Sequence, residues 1–494
     1  MTSSAAFADV TAQQVWGDWK SYFETFGYSV TGSEATSGDT LTVTDMTLGM
    51  DLPEGAGAIS IVLPEMSFTN QGDGTVAVGV PETMPVVVDV APTGEEPVKV
   101  TVDYNNTGFS MIVSGTAEEM TYTYSAAEMA AILKELIVEG EAIPINAAEF
   151  TFANVSGSSV MKMGNLRNLE QVMNAGPISY NVDVANPDDS NEFMRIKGGM
   201  DKIAFQGTAA YPMGGGFDPN NMHAMLQAGF AFDGGFEYQG GKMNFHFIDG
   251  QEEMMTNTST ESGAFDIGMS TDGLKYDVMS RGATMDLQGG DIPFPVNLKF
   301  GEAGFKLHMP VTKSDESQEF ALGITLGNFT MSDMIWGMFD PAGQLPRDPA
   351  TIAVDLAGTG KLGFDLLDPE QMEAVESGEM GMPGEVESLT IKDIEVTAAG
   401  ASLTGTGAFE FDMQSMMMSG GMQGSDGTLD LRLAGANGLM DKLVAMGLVP
   451  EDQVMGARMM LSMFAVPGDG DDVLTSKIEV KKDGQILANG QRLQ

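Results

Sequence analysis

Alternation of apolar and polar residues with a period of two runs through most of this 494-residue chain. The clearest examples are Leu41/Val43, Ile59/Ile61/Leu63, Val86/Val88/Val90 and Val98/Val100/Val102. Gly, Pro, Asp and Asn separate these stretches, as they do at turns between strands. Such alternation gives each strand one apolar and one polar face, which is typical of antiparallel sheet. We therefore expect an α+β protein dominated by a long antiparallel sheet, curled into a groove or partial barrel, with about five short helices.

Helical patterns interrupt the strands. Thr11 and Gln14 form a capping box ahead of Val15, Trp16 and Trp19, which share one helical face. A second capping box, Ser125-x-x-Glu128, precedes apolar residues at helical spacing and predicts a helix that ends at Gly140. Shorter helices are expected near residues 218–226, 331–339, 368–376, 438–446 and 451–464.

The best domain boundary lies at residues 340–349, where three prolines occur in ten residues. We expect an N-terminal helix plus a large antiparallel β region over residues 9–345. Residues 346–494 are then a C-terminal unit of a β-hairpin and helices.

A short internal sequence match suggests that the C-terminal unit repeats the N-terminal one. Residues 41–48 (LTVTDMTL) match residues 389–396 (LTIKDIEV) by residue type, and in both the alternation changes phase at the Asp. A β-bulge at that Asp would produce such a change. Shared β-strand composition explains the same match equally well.

The charge balance limits the possible partners. The chain has 70 acidic and 24 basic residues and a formal net charge of −46, which repels phosphates and anionic headgroups. We therefore expect no nucleic-acid partner. There is no run of 18 apolar residues, so we also expect no transmembrane helix. Cysteine is absent, which excludes disulfides and thiolate chemistry.

The first eight residues, MTSSAAFA, contain the A-x-A pattern of a signal-peptidase site at Ala6-Phe7-Ala8. Residues 1–8 are therefore interpreted as the remnant of a signal peptide, although an ordinary N-terminus would look similar. This interpretation predicts an exported protein of the Gram-negative periplasm.

Motifs for catalysis or metal binding are weak. His223, His246 and His308 are far apart in sequence and form no HExxH pattern. The SxxK match at residues 159–162 lacks its companion motifs. The GxGxxG match at residues 358–363 runs into alternating apolar residues, which indicates a strand rather than a nucleotide-binding turn. We assign no catalytic, cofactor-binding or metal-binding residue and expect no cofactor.

Two further features are candidate metal sites. Asp469, Asp471 and Asp472 lack the spacing of a calcium loop and are interpreted as a solvated turn. Methionine is abundant, with 40 residues, five of them within residues 413–422 among Ser and Gly. Thioether clusters bind Cu(I), but a mobile loop is the favoured interpretation of that segment. Methionines in strands suit an adaptable apolar surface or simply fill gaps in a core.

Several stretches in the last third of the chain carry a family resemblance: 338–349 (MFDPAGQLPRDP), 400–409 (GASLTGTGAF), 456–460 (GARMM), 467–470 (PGDG) and 483–490 (DGQILANG). They resemble an alphaproteobacterial family of exported proteins catalogued as domain of unknown function 2125. The resemblance implies a periplasmic setting and supplies no catalytic residues. The pattern of β-hairpins along the chain more loosely resembles that of AsmA-like and YdgA-like envelope proteins. Some of those proteins hold or conduct lipid in curled sheets.

These features together predict a non-catalytic periplasmic envelope protein that binds lipid or another apolar ligand in a β-groove. Two other functions stay open at this stage. One is a hydrolase whose carboxylate or Ser site is assembled only by folding, and the other is a periplasmic binder of Cu(I) or calcium.

Overall fold

The protein is described from a computed structural model over residues 9–52, 56–94, 96–186, 189, 191–213, 218, 221–290, 292–378, 384–419 and 423–493. It divides into two compact units, one of residues 1–262 with 287–293 and one of residues 263–286 with 294–494. The boundary expected at residue 345 falls inside the second unit. The proposed signal-peptide remnant, residues 1–8, lies outside the described residues.

In the described residues, the first unit is an antiparallel meander with two helices. Its helices are α1 (Ala12–Thr25) and α2 (Met222–Gln227). Its strands are β1 (Ser29–Ser37), β2 (Thr40–Asp51), β3 (Gly57–Asn70), β4 (Val76–Gly79), β5 (Thr83–Pro92), β6 (Val98–Thr107), β7 (Ser110–Gly115), β8 (Glu119–Val138), β9 (Glu141–Ala142), β10 (Ile145–Met163), β11 (Leu166–Ala175), β12 (Ile178–Ala185), β13 (Phe193–Met200), β14 (Lys202–Pro212) and β15 (Ala231–Asp249).

The second unit continues the antiparallel pattern and carries the other helices. Strands β16 (Glu252–Ser270), β17 (Gly273–Gly289) and β18 (Ile292–Met309) contribute residues to both units. The remaining elements are β19 (Gln318–Met331), α3 (Asp333–Phe339), β20 (Ala350–Leu362), α4 (Pro369–Glu376), β21 (Gly384–Ala398), β22 (Ala401–Phe411), α5 (Met413–Ser419), β23 (Ser425–Ala434), α6 (Ala436–Ala445), α7 (Glu451–Phe464), β24 (Val466–Pro467), β25 (Val473–Val480), β26 (Ile486–Ala488) and β27 (Gln491–Arg492).

A line of backbone irregularities crosses the sheet of the first unit. β6 and β7 are separated at Gly108, β11 and β12 at Gly176 and Pro177, and β13 and β14 at Asp201. The long strand β10 has positive φ at Asn154, at the level where its partner changes from β12 to β11. Irregularities of this kind bend strands. The line therefore divides the sheet into two halves.

The first half is covered by α1 and holds the main hydrophobic core. Val15 and Trp16 of α1 pack against Val43, Phe68 and Val113 of the sheet, and all five side chains are buried. Further contacts hold the helix in place: Trp16 Nε1 donates a 2.7 Å hydrogen bond to Glu34 Oε1, and the Trp19 ring meets Phe68 edge-on at 5.6 Å.

The predicted fold class, α+β with mainly antiparallel sheet, is confirmed. The capping box at Thr11 and Gln14 is present at the start of α1. The helices expected over residues 331–339, 368–376, 438–446 and 451–464 correspond to α3, α4, α6 and α7, and α2 begins at Met222, later than the expected residue 218. The bulges predicted at both Asp positions of the internal sequence match also occur. Asp45 has a φ of 52°, and the β21–β22 register shifts between Ile391 and Ile394.

The helix predicted from Ser125 to Gly140 is wrong. These residues lie mainly in β8, which pairs with β10 along one edge and with β6 and β7 along the other. A spacing of four residues returns a side chain to the same side in a helix and also in a strand. The local pattern therefore fits both a helix and a strand. Hydrogen bonding to neighbouring strands along both edges stabilises the strand.

Candidate ligand-binding face

The half of the first unit's sheet beyond the line of irregularities presents one continuous apolar face. The strands are in register across it, with Ile61 opposite Val88, Val88 opposite Val100, and Phe150 opposite Tyr180. We call this surface the aliphatic face. Its residues are Ile59, Ile61, Leu63, Val86, Val88, Val90, Val98, Val100, Val102, Met129, Leu133, Leu136, Phe150, Phe152, Tyr180, Val182, Met194, Ile196, Phe245 and Phe247.

The aliphatic face stays partly exposed although its side chains are apolar. Phe150 is 39% exposed and Met194 is 36% exposed. The opposite face of the same strands carries charged groups, including the ion pair between Arg195 Nε and Asp183 Oδ2 at 2.9 Å. Among the described elements, α1 contacts β1, β2 and β3, and no helix lies across the aliphatic face to a comparable extent.

A cavity of about 400 Å³ lies under α1 and adjoins the aliphatic face. Trp19, Tyr22 and Phe23 of α1 form one wall. The sheet supplies the other walls through Phe109, Met111, Tyr122, Tyr124, Met129, Ser159, Met161, Leu169 and Gln171. Met129 belongs both to the cavity and to the aliphatic face, so the two surfaces are continuous. The volume falls within the range of about 300–1,000 Å³ that is usual for small-molecule sites.

A buried ion pair forms the polar end of this region. Arg167 Nη2 lies 3.1 Å from Asp18 Oδ1, and the two side chains are 0% and 5% exposed. Tyr122 donates a 2.7 Å hydrogen bond from its hydroxyl to Asp18 Oδ2. Both terminal nitrogens of Arg167 also donate to the backbone oxygen of Asp18, at 3.4 and 3.3 Å. The contacts join α1 to β8 and β11 at the edge of the cavity.

The two tyrosines near this ion pair have raised pKa values. Burial raises the pKa of Tyr122, and the negative charge of Asp18 adds to the effect. Burial also raises the pKa of Tyr22, and the nearby positive charge of Arg167 partly offsets this increase. Both hydroxyls therefore stay protonated at neutral pH, and Tyr122 acts as a hydrogen-bond donor rather than as a base.

The second unit also has an apolar face with partial exposure. Ile324 lies opposite Phe305 on one side and Val354 on the other, and Ile352 lies opposite Leu326 and Val396. Ile352 is 49% exposed. A similar arrangement of partly exposed apolar residues in register thus recurs in the second unit.

A smaller cavity of about 300 Å³, with several charged groups among mainly apolar walls, lies among strands β16 to β20 of the second unit. Lys306 Nζ is 3.2 Å from Asp355 Oδ1, and both residues line the cavity. At its edge His308 Nε2 lies 2.9 Å from Asp277 Oδ2. Lys306 thus balances the charge of Asp355, and the His308 ring lies within hydrogen-bond distance of Asp277.

A family model matches residues 257–490, most of which lie in the second unit. The family, DUF2125, is described as an uncharacterized protein conserved in bacteria. The predicted resemblance to this family is confirmed over residues 257–490. The match gives no link to AsmA-like or YdgA-like proteins. No curated protein and no solved structure matches the chain.

Two weak motifs within residues 257–490 lie in a strand and at the start of a helix. The GxGxxG match at residues 358–363 lies at the end of β20, as the alternation predicted. Asp472 accepts hydrogen bonds from the backbone N–H groups of Gly438 at 2.8 Å and Asn437 at 3.2 Å, so it caps the start of α6. Burial works against ionisation there, but these bonds and the charge of Arg458 lower the pKa of Asp472.

Other candidate residues are dispersed. His246, outside the DUF2125 region, pairs with Glu253 at 2.8 Å, while His308 pairs with Asp277. Ser159 and Lys162 both lie on β10, where Ser159 faces the cavity under α1. Among the described residues, no group of three His, Cys, Asp or Glu side chains is placed to hold a metal ion.

Carboxyl groups with clearly shifted pKa values in the described part of the chain shift downward. For Glu387, hydrogen bonds from Lys361 and Ser317 lower the pKa. For Glu34, the bonds from Trp16 and Lys20 have the same effect. A general acid at neutral pH needs a raised pKa instead. The sequence-based alternative of a carboxylate hydrolase therefore gains no support from these groups.

The methionine-rich segment is partly helical rather than a loop. Met413 begins α5, Met416 Sδ accepts a 3.4 Å hydrogen bond from Ser425 Oγ, and Met418 is exposed. Met422 and the side chain of Met417 lie outside the described part of the structure. No helix among the described residues is long and apolar enough to cross a membrane.

Proposed function

We propose that this protein is an exported envelope protein that binds the acyl chain of a lipid along the aliphatic face. In this proposal, the end of the chain occupies the cavity under α1. The single observation that supports it is the continuity of a partly exposed apolar face with a cavity of about 400 Å³. Burying such a surface under a hydrocarbon chain is favourable by roughly 25 cal/mol per Å² of apolar area.

The shape and composition of the surface favour a hydrocarbon chain. Valine, isoleucine, leucine and phenylalanine dominate the aliphatic face, and Met129 and Met161 line the cavity with flexible thioethers that adapt to varied chains. A second copy of the protein is a less suitable occupant, because two chains of net charge −46 repel each other.

The proposed cellular setting rests on the sequence. Ala6-Phe7-Ala8 resembles the end of a signal peptide, and the family resemblance implies export. In the envelope, lipids are abundant and a protein with an acyl-binding face would hold or move them. This setting accounts for an extended apolar surface on an otherwise strongly acidic protein.

The cavity can be tested with two substitutions on one strand. Ser159→Phe places a ring in the cavity, whereas Ser158→Phe places the same ring on the opposite face of β10. We expect Ser159→Phe to weaken binding of a fluorescent fatty acid by about ten-fold or more, because it fills the volume that the chain end needs. Ser158→Phe should bind like the wild type.

The measurement is a fluorescence titration of the full chain, with thermal melting of both variants as a check on folding. Native mass spectrometry of protein purified from its own envelope would complement it. Equal affinity of both variants, together with protein that carries no lipid, would contradict the proposal.

A further inference from the structure

Helix α7 (Glu451–Phe464) presents an unusual row of methionines to solvent. Met455, Met459, Met460 and Met463 are 65%, 67%, 60% and 58% exposed. Methionine is ordinarily a core residue, and an exposed cluster of four on one helix buries little apolar area. The exposed thioethers therefore call for an explanation other than packing.

The other side of α7 is firmly attached to the second unit. Val454 is buried, and Arg458 donates to both the side-chain and backbone oxygens of Asn437 at 3.2 Å. Arg458 also forms an ion pair with Asp441 of α6 at 2.6 Å. The helix is thus held in one orientation, and the methionines stay on its outer side.

Helix geometry brings three of these side chains together. Met459 and Met463 are four residues apart, and Met460 and Met463 are three residues apart, so each pair lies on neighbouring turns. Side chains at these spacings have Cβ atoms about 5–6 Å apart. Met463 therefore lies between the other two, and flexible methionine side chains can turn three sulfur atoms toward a common point.

We propose that Met459, Met460 and Met463 form a Cu(I) site with three thioether ligands. Thioethers are soft, neutral ligands that select Cu(I) over the hard cations attracted to carboxylates. The chain contains no cysteine, so methionine is its only source of sulfur ligands. Glu451 and Asp452 in the first turn of the same helix add negative charge that favours the approach of a cation.

The site differs from the methionine-rich segment that the sequence draws attention to first. In that segment Met416 is hydrogen-bonded to Ser425, while Met418 is exposed. On α7, by contrast, all three proposed ligands are exposed at neighbouring helical positions. The proposal is also independent of acyl-chain binding, because it concerns a helix of the second unit and a different ligand.

The test is an anaerobic titration of the full chain with Cu(I), in competition with the chromogenic chelator bicinchoninate. We expect the wild type to bind Cu(I) in competition with the chelator. The triple variant Met459→Leu, Met460→Leu, Met463→Leu should bind at least about ten-fold more weakly. X-ray absorption of the wild-type complex should show sulfur neighbours around the copper.

Leucine makes the comparison specific for sulfur. It has a similar volume and a high helix propensity, so the variant keeps the apolar surface and the helix while losing the thioethers. The control triple variant Met334→Leu, Met338→Leu, Met418→Leu changes exposed methionines of α3 and α5 and should bind like the wild type. Equal affinities of the two triple variants, or a copper environment of nitrogen and oxygen, would overturn the proposal.

Discussion

Arg167 and Asp18 form a buried ion pair, with 3.1 Å between Nη2 and Oδ1, although 149 residues separate them in the sequence. The pair joins α1 to the sheet beside the cavity proposed to receive the end of an acyl chain. Burial of two charges is costly unless both are paired and hydrogen-bonded. Asp18 Oδ2 accepts a hydrogen bond from Tyr122 and Oδ1 lies against Arg167, whereas Arg167 Nε is buried without a hydrogen-bond partner among the described residues.

Removing one partner of this pair should destabilise the first unit strongly. We expect Arg167→Met to lower the free energy of unfolding by about 3–5 kcal/mol, because the charge of Asp18 would remain buried without its partner. Urea unfolding followed by the fluorescence of Trp16 and Trp19, in a Trp336→Phe background, measures the change. The double variant Asp18→Asn, Arg167→Met should recover much of the loss.

A matched control lies on the same helix. Lys20 Nζ is 2.9 Å from Glu34 Oε1, but the two side chains are 35% and 44% exposed. Lys20→Met should cost no more than about 1 kcal/mol, as is usual for exposed ion pairs. A cost equal to that of Arg167→Met would show that burial is not the cause of the difference.

Asp472 should stabilise the second unit as a helix cap. Gly435 precedes α6 and has no side chain to cap it, so Asp472 supplies the acceptor for the first N–H groups. We expect Asp472→Ala to lower the free energy of unfolding by about 1 kcal/mol. Asp471→Ala, at the exposed neighbouring position, should have little effect in the same urea unfolding experiment.

Asp340 should make stability depend on pH in the acid range. The backbone N–H groups of Gln344 and Leu345 donate 2.8 Å hydrogen bonds to its carboxylate, and the bond from Gln344 is the main cause of its lowered pKa. The folded state thus favours the ionised form. Its contribution is complete above the ordinary pKa of 3.8 and is lost as the pH falls through the lowered folded value.

We therefore expect Asp340→Asn to be less stable than the wild type at neutral pH and to lose less stability between about pH 5 and about pH 2. The fluorescence of Trp336, one turn before Asp340, reports the unfolding of this region. Asp348→Asn, at an exposed site nearby, should follow the wild type. Parallel acid profiles of wild type and Asp340→Asn would contradict this role.

Much of the fold could be predicted because local signals agreed with the tertiary structure. The side chains of Thr11 and Gln14 satisfy the first N–H groups of α1 and so mark its start in the sequence. Asp368 marks the start of α4 in the same way, because its side chain accepts hydrogen bonds from the N–H groups of Glu370 and Gln371. Alternation likewise identified the strands, since it records which side chains face the apolar side.

The candidate site was harder to predict from the sequence than the fold. Arg167 is the one charged residue on the apolar side of β11, where it precedes Leu169 and lies opposite Met163 of β10. The alternation in the sequence could have revealed this position. Its partner was not predictable, because nothing local connects Asp18 with a strand 149 residues away. The cavity depends on the same long-range packing of α1 on the sheet.

The most direct test of the account uses two adjacent valines of β5. Val88 belongs to the aliphatic face and lies opposite Ile61 and Val100, whereas Val87 lies opposite Val62 and Thr101 on the other face. We would measure the affinity of Val88→Asp and Val87→Asp for a fluorescent fatty acid.

A carboxylate on the aliphatic face would have to be desolvated beneath the bound chain. We expect Val88→Asp to bind at least about ten-fold more weakly than the wild type, while Val87→Asp retains its affinity. Equal affinities for the two variants would contradict acyl-chain binding on this face.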